Sequence, residues 1–392
     1  MKPTRDDWKD CLLGDAVTLK RGYDLTMSDR KDGPYPVITS SGFSGFHNEA
    51  KVKGPGVVTG RYGTLGEVHY VETDFWPHNT ALYVRDFKGN HPKFISYFLD
   101  GLHFNTQNAA AAVPGVNRNF LHMIPVRVPP LPLQRRIAVI LSAYDDLIEN
   151  NTRRIQILER MAQAIYREWF VNLRFPGHAK AKTIAPPLGK IPHCWKVVSV
   201  PEAIFINPKT TVPREGIKPF VPMTCLPTGS MLISDIEARE GNSGSKFRNG
   251  DTLFARITPC LENGKTAFVQ FLPSDEAVAF GSTEFIVMRS NTVTPEYVYL
   301  LARSSEFREN AIKSMSGATG RQRVQEACFN KFLIAQPGER ELAAFTKVVR
   351  PMFKLIHCLA KKNANLRRTR DLLLPKLISG ALDVSKLDIE TA

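Results

Sequence analysis

A chain of 392 residues exceeds one ordinary domain and predicts two or three. Its 43% hydrophobic and 23% charged residues fit a folded protein and exclude a disordered one. Lys plus Arg number 52 against 38 Asp plus Glu, a formal charge of +14; the surplus points to a polyanionic partner, nucleic acid before an anionic membrane surface, with a merely basic protein as the plain alternative.

The opening MKPTRDDWKD lacks the apolar core of a signal peptide, and no run of about 18 apolar residues occurs. No membrane partner is therefore expected, and the expected location is the cytoplasm. Six cysteines (Cys11, Cys194, Cys225, Cys260, Cys328 and Cys358) are scattered without a CxxC or zinc spacing, as reduced packing residues would be. His193 beside Cys194 is the nearest approach to a ligand pair, and no metal or cofactor is expected.

In chain order, Trp8 in DDWKDCLLGDAVTLKRG opens a region of short β-branched and aromatic runs broken by Gly, Pro and Asn, such as PGVVTGRYG (55–63) and GEVHYVE (66–72). These are strands with turn punctuation. HPKFISYFLDGL reads as a helix with proline in its first turn. Then PPLPLQRRIAVIL (129–141) stops the preceding structure and launches a long helix. Its apolar positions, Ile137, Leu141, Tyr144, Ile148, Asn151, Ile155, Leu158, Ala162, Ile165 and Trp169, alternate steps of four and three, a heptad seam with one asparagine in it. AKAKTIAPPLGKIP (179–192) reads as a basic, proline-rich linker.

The pattern then repeats. Trp195 answers Trp8, KPFVPMTC (218–225) answers YPVITSSG (35–42), STEFIVMR (282–289) answers NTALYVRD (79–86), and TPEYVYLLA (294–302) answers HPKFISYFL (91–99). The offset grows from 187 at the tryptophans to 203 at Thr80/Thr283 and 205 at Pro132/Pro337, so one unit is copied with insertions in the second copy's loops. GDTLFARI (250–257) and KTAFVQFL (265–272) are further strands. QPGERELAAFTKVV (336–349) launches a second helix with seam positions Leu342, Phe345, Val349, Met352, Ile356, Leu359, Asn363, Leu366, Arg370, Leu373 and Leu377. Pro351 and Pro375 fall inside it and predict a kinked or segmented helix. Asn151 and Asn363 either fix register inside the seam or face solvent at a break.

A seam needs a partner, and the other copy's helix is the obvious one. The expected fold is α+β: two similar mixed, mostly-β domains separated by two long helices that pair as an antiparallel coiled coil with pseudo-two-fold symmetry. The expected segments are 1–131, 132–175, 176–336 and 337–392. A helix over about 133–170 would be roughly 55 Å long, against about 34 Å for one turn of DNA.

At this level the chain resembles the specificity subunits of type I restriction–modification systems. Residues 129–170 resemble the family's central conserved helix and NLRRTRDLLLPKLISGALDV (365–384) its C-terminal one. DTLFARITPCLENGKTAFV (251–269) and GATGRQRV (317–324) resemble its second target-recognition domain. The likeness covers nearly the whole chain in order. One departure is QPGERE, with Gln336 and Glu339 where the family's helix start has Pro and Gln. The resemblance implies that each β-rich domain reads one half of a split site in double-stranded DNA. It further implies that the paired helices act as a ruler and dock two methyltransferase subunits, that restriction/translocase subunits complete the complex, and that this subunit does no chemistry itself.

Catalytic motifs are correspondingly missing. The Pro-Pro pairs VPPL (128–131) and APPL (185–188) do not fit a methyltransferase loop. GRYGTLG (60–66) has the wrong spacing for a dinucleotide fingerprint. ENGKT (262–266) lacks the phosphate-loop glycine, because position 259 is proline. Neither GxSxG nor HExxH occurs. The competing readings are a basic coiled-coil scaffold without sequence-specific readout and an unrecognised nuclease.

DNA contacts need cations and backbone N–H groups for phosphates, and Arg, Lys, Asn or Gln for base edges. Four loops combine these with glycine. The candidates are Arg61 and Tyr62 in TGRYGTLG (59–66), Asn117 and Arg118 in AAVPGVNRNF (111–120), Arg256, Asn263 and Lys265 in FARITPCLENGK (254–265), and Arg321, Gln322 and Arg323 in MSGATGRQRV (315–324). LKRG (19–22) and NPKT (207–210) could grip phosphates. RRTR (367–370) could serve DNA, a partner subunit or a solvated stripe.

Overall fold

The computed structural model describes residues 7–62, 64, 66–102, 117–185, 188–318 and 320–387. Contacts divide the chain into two compact units: 1–148 with 364–392, and 149–363.

In the first unit, β1 (Lys9–Leu12), α1 (Leu13–Ala16), β2 (Thr18–Arg21), β3 (Tyr35–Thr39), β4 (Gly42–His47), β5 (Gly56–Gly60), β6 (Val68–Val71), β7 (Trp76–Pro77) and β8 (Ala81–Asp86) are followed by α2 (Pro92–Gly101), α3 (Arg118–His122) and β9 (Pro125–Val128). The long helix α4 (Leu131–Tyr166) begins here and carries residues of both units. Strands order β2-β8-β5-β6 in one antiparallel sheet and β4-β3-β7 in another, where β3 and β7 run parallel. β1 pairs with β9, Lys9 opposite Val128, so the start of the domain is tied to the strand that hands over to α4.

The second unit contains β10 (Thr183–Ile184), β11 (Ile191–Pro192), β12 (Lys196–Ser199), α5 (Val200–Ala203), β13 (Ile204–Ile206), β14 (Lys218–Val221), β15 (Glu237–Arg239), β16 (Ser245–Arg248), β17 (Thr252–Ala255), β18 (Thr266–Phe268), β19 (Val278–Gly281) and β20 (Phe285–Ser290). α6 (Pro295–Arg303), α7 (Ser305–Lys313), β21 (Leu333–Gln336) and α8 (Glu339–Ile378) complete the chain's elements, and α8 also carries residues of both units. The sheets repeat those of the first unit: β13-β20-β17-β18, and β15-β14-β19-β16 with β14 and β19 parallel. β12 pairs with β21 as β1 does with β9. The added strand β16 stands where the first copy has only the bridge between Val52 and Phe75. The duplication is therefore structural, and part of its growing offset is an inserted strand.

β5, β8, β17 and β20, the central strands of the two main sheets, are largely buried, which suits their β-branched and aromatic content. The 36 residues of α4 follow from unbroken heptad spacing and end in a π-helical turn, Arg167–Val171. α8 runs through Pro351 and Pro375 as one helix of 40 residues, so the expected segmentation is corrected. Each proline removes one backbone bond, and both rings face solvent while Val349, Phe353, Leu374 and Leu377 beside them are buried. That packing holds the helix together despite an intrinsic cost of roughly 3 kcal/mol per interior proline.

Within each unit the two helices pair antiparallel. In the second, Asn151 faces Asn363 and Trp169 faces Phe345 (ring centroids 5.9 Å apart). In the first, Asp145 faces Arg370, and Arg136 reaches the Ser385 carbonyl. The helices also complete the cores beside them. Leu133, Ile137, Leu141, Leu374, Leu377 and Ile378 pack with Leu19, Phe94 and Phe98. Ile155, Ala162, Phe345, Phe353 and Ile356 pack with Phe268, Tyr297 and Val298. Trp8 lies over Gly380, whose φ of +70° ends α8, and Trp195 packs at a tilt against Phe170 just beyond α4. The two tryptophans thus occupy equivalent places.

The helix starts differ between the copies. Gln134, almost fully buried, accepts from the His91 N–H and donates to Asn90 and the Pro129 carbonyl. At α8 the corresponding anchors are Gln336, which accepts from Thr292, and the buried Glu296, which pairs with Arg350 at 2.6 Å.

Candidate nucleic-acid interface

In the second unit the chain leaves β17 at Arg256 and folds back on the segment before β21. The Arg256 N–H donates to the Glu284 carbonyl (3.0 Å), the Val324 N–H to the Arg256 carbonyl (2.8 Å), and the Thr258 N–H to the Gln322 carbonyl (3.1 Å). Bridges join Arg323 to Ile257 and to Ser316. The two loops singled out in the second copy are thereby brought together beside the turn that precedes β20.

The candidate residues divide by role. Arg323 holds Glu284 through both guanidinium arms at 2.7–3.0 Å, and this carboxylate pushes the Arg323 pKa up. Arg256 pairs with Glu326 at 3.1 Å and donates to the Val324 carbonyl. Lys265 donates to the Met223 carbonyl at 3.0 Å. These three set the shape of the loops. Asn263 and Arg321 are exposed and Gln322 half-buried on the same loops; they are the groups turned outward. Thr319 lies outside the described residues.

NPKT lies against the same place. Asn207, at φ +47°, donates its N–H to the Val287 carbonyl and accepts from the Val287 N–H through its side-chain oxygen. A cavity of about 300 Å³ is lined by Asn207, Lys209, Thr210, Lys246, Arg256 and Thr283. Three cations and Gly244, where a Cβ would lie 1.9 Å from the Gly281 carbonyl, make this a concave basic surface suited to an anion. Sequence reasoning found Lys209 and Arg256 but missed Lys246 and Thr283. The pairing of Thr283 with Thr80 across the copies was the available signal.

The first unit builds the equivalent place. The N–H groups of Arg61 and Tyr62 both donate to the Thr80 carbonyl (3.1 and 3.3 Å). Thr80 Oγ1 accepts from the Ser40 N–H (3.3 Å) and lies 3.0 Å from His78 Nδ1. Thr64 donates to the Ser40 carbonyl at 2.6 Å. The Arg61 guanidinium lies over the Tyr62 ring at 4.6 Å, leaving both on the surface. In each copy, then, the loop after the third strand of the main sheet rests on the turn before its second.

Asn117 caps α3, accepting from the Asn119 N–H at 3.0 Å, and leaves Arg118 exposed. Residues 111–116 of that loop lie outside the described residues. His122, behind it, accepts from the Leu19 N–H through Nε2 (2.9 Å); burial first and Arg118 second hold its pKa down. LKRG is largely strand β2, and Arg21 pairs with Asp24 at 3.2 Å. In RRTR, Arg370 is a seam residue bonded to Asp145 (2.6 Å) and Asp371, while Arg367 and Arg368 are exposed. Among the described residues no helix is long and apolar enough to cross a membrane.

Two copies of one β-rich domain, each completed by helices that pair antiparallel and each presenting a polar loop cluster at the same place, define a duplicated two-unit protein. Residues 5–160 match the type I restriction modification DNA specificity domain. The chain is 24% identical over 295 residues to the type I restriction enzyme MjaIX specificity subunit of Methanocaldococcus jannaschii, a stretch covering 71% of this chain and 66% of that one. It is 30% identical over 161 residues to the EcoEI specificity subunit of Escherichia coli, covering 39% of this chain and 27% of that one. The crystal structure of the S subunit of a type I restriction-modification system from M. genitalium shares the fold, with a TM-score of 0.61 at 15% identity over 96% of this chain and 99% of that one. The chain is thus similar in sequence, and in fold, to specificity subunits of type I restriction–modification systems.

Proposed function

We propose that this chain reads a bipartite site in double-stranded DNA, one short word per β-rich domain, and is itself non-catalytic. The observation that carries the reading is the repeated placement of a cationic loop cluster: Arg61 and Tyr62 against Thr80 in one copy, the loops of Asn263 and Arg321 against Glu284 in the other. Two equivalent clusters suit two separate words. The net charge of +14 supplies the sequence-independent attraction to phosphates, and the outward-facing Asn, Gln and Arg groups supply base-edge contacts.

The paired helices are proposed to set the interval between the words and to dock two methyltransferase subunits, with restriction/translocase subunits joining the full complex. Supporting this, α4 and α8 expose Leu147, Ile157, Met161, Val348, Leu355 and Leu372, apolar groups that a docked subunit would cover. The test is duplex binding by the chain with its methyltransferase subunits. Binding is expected to weaken steeply with salt and to prefer one split sequence. Equal affinity for all sequences would favour the scaffold reading instead.

A further inference from the structure

The β3–β4 hairpin carries a feature that the loop clusters do not explain. Phe43 and Phe46 are 60% and 55% exposed, and their rings meet edge to face, 5.0 Å between centroids. Residues three apart on a regular strand point to opposite faces. Here the register of β4 on β3 shifts between Pro36 and Ile38, so that Pro36 faces Phe46 and Ile38 faces Phe43 with one extra residue between. Gly45, at φ +98°, supplies the conformation such a bulge needs. The bulge puts both rings on one side of an edge strand. Arg30 holds the hairpin between them, donating to the Ser44 carbonyl and to Ser44 Oγ.

The hairpin is joined to the candidate interface. Its turn residue Ser40 accepts from Thr64 and donates its N–H to Thr80, the residue on which Arg61 and Tyr62 rest. His69 packs against Gly42, where a Cβ would lie 3.1 Å from the ring. The second copy treats the corresponding edge similarly: on β14 and β15, Arg239 lies 4.1 Å over the Phe220 ring, beside Phe280, and these line a cavity of about 670 Å³ that also reaches Thr283.

We infer that Phe43 and Phe46 are DNA-contacting residues of the first recognition domain, making apolar contact with a base step next to the bases addressed by Arg61 and Tyr62. The inference rests on the DNA-reading function proposed above. Continuity with a cationic cluster, and Arg30 bonded to Ser44 on the same strand, favour a polyanion over a protein as the occupant. Paired aromatics at such a surface stack on or wedge against bases.

The test is Phe43→Ala/Phe46→Ala in the full chain assembled with its methyltransferase subunits, against its methylated sequence as duplex DNA. Both rings are largely exposed, so folding should survive. The expected result is an affinity lower by about tenfold or more with an unchanged slope of log affinity against log salt, since no charge is removed. A 2-aminopurine placed in the first word should brighten with the wild-type complex and not with the variant. Equal affinity of variant and wild type overturns the inference while leaving the DNA-reading function intact. Loss of methyltransferase assembly overturns it in favour of a protein contact. Absence of sequence preference in the wild-type complex removes the function on which it rests.

Discussion

Asn151 and Asn363 are 4% and 2% exposed and bond to each other at 2.9 Å, with Asn363 also donating to Thr152 at 3.1 Å. Asn363→Ala removes the acceptor of the buried Asn151 amide N–H, and Asn151→Ala removes one donor to the buried Asn363 amide oxygen; each loss costs roughly 1–3 kcal/mol. Changing both removes the orphan as well as the bond. The double variant should therefore lose less stability than the two singles added together, with a coupling of about 1–2 kcal/mol. In a unit of this size about 1 kcal/mol moves the melting temperature by about 2–4 °C, so each single variant should melt several degrees lower. Denaturant or thermal unfolding of all four proteins measures the cycle. Additive losses would refute the reasoning, because they would mean that the two amides do not depend on each other. A buried polar pair in an apolar seam disfavours shifted pairings of the helices, so the double variant should also lose precision in the interval it recognises.

Three further outcomes follow from the geometry. Glu159 is buried and accepts from Ser230 Oγ and the Met231 N–H, each at 2.7 Å; burial raises its pKa despite those bonds. A carboxyl whose folded pKa lies above its unfolded value contributes stability that is complete below the unfolded value, about 4.3, and lost as pH rises through the folded one. Glu159→Gln should therefore be at least as stable as wild type at neutral pH and flatter in denaturation midpoint above pH 4; an unchanged pH profile would contradict this. If Arg323 acts by shaping its loop, Glu284→Ala should weaken DNA binding although it adds net positive charge, whereas tighter binding would mean that Glu284 merely masks the arginine. Arg61→Ala should lower the salt slope of binding by about one if it meets a phosphate; an unchanged slope with altered sequence preference would place it on a base edge.

Much of this architecture was legible because it rests on periodicity. The heptad steps, the prolines before each helix, the paired tryptophans and the glycine-punctuated strands are local signals, and the structure keeps all of them. What escaped depends on groups distant in sequence. Arg370 interrupts an apolar seam, and nothing near it announces Asp145, which also accepts from the Tyr97 hydroxyl; burial and that carboxylate raise the tyrosine's pKa. Arg323 reads as an exposed base-contacting cation until Glu284, 39 residues earlier, is seen beneath it. The prolines did not divide α8 into segments, because local propensity cannot count the apolar contacts on the opposite face. The candidate loops were found by composition, but which side chains brace them and which face outward is decided by the fold.

Co-expression with the methyltransferase subunits, followed by mapping of modified bases across a genome, tests the central claim most directly. The account predicts methylation in one motif of two short words a constant interval apart, with Arg321→Ala changing the preference in one word only. A single uninterrupted motif, or methylation that ignores changes in either loop cluster, would contradict it.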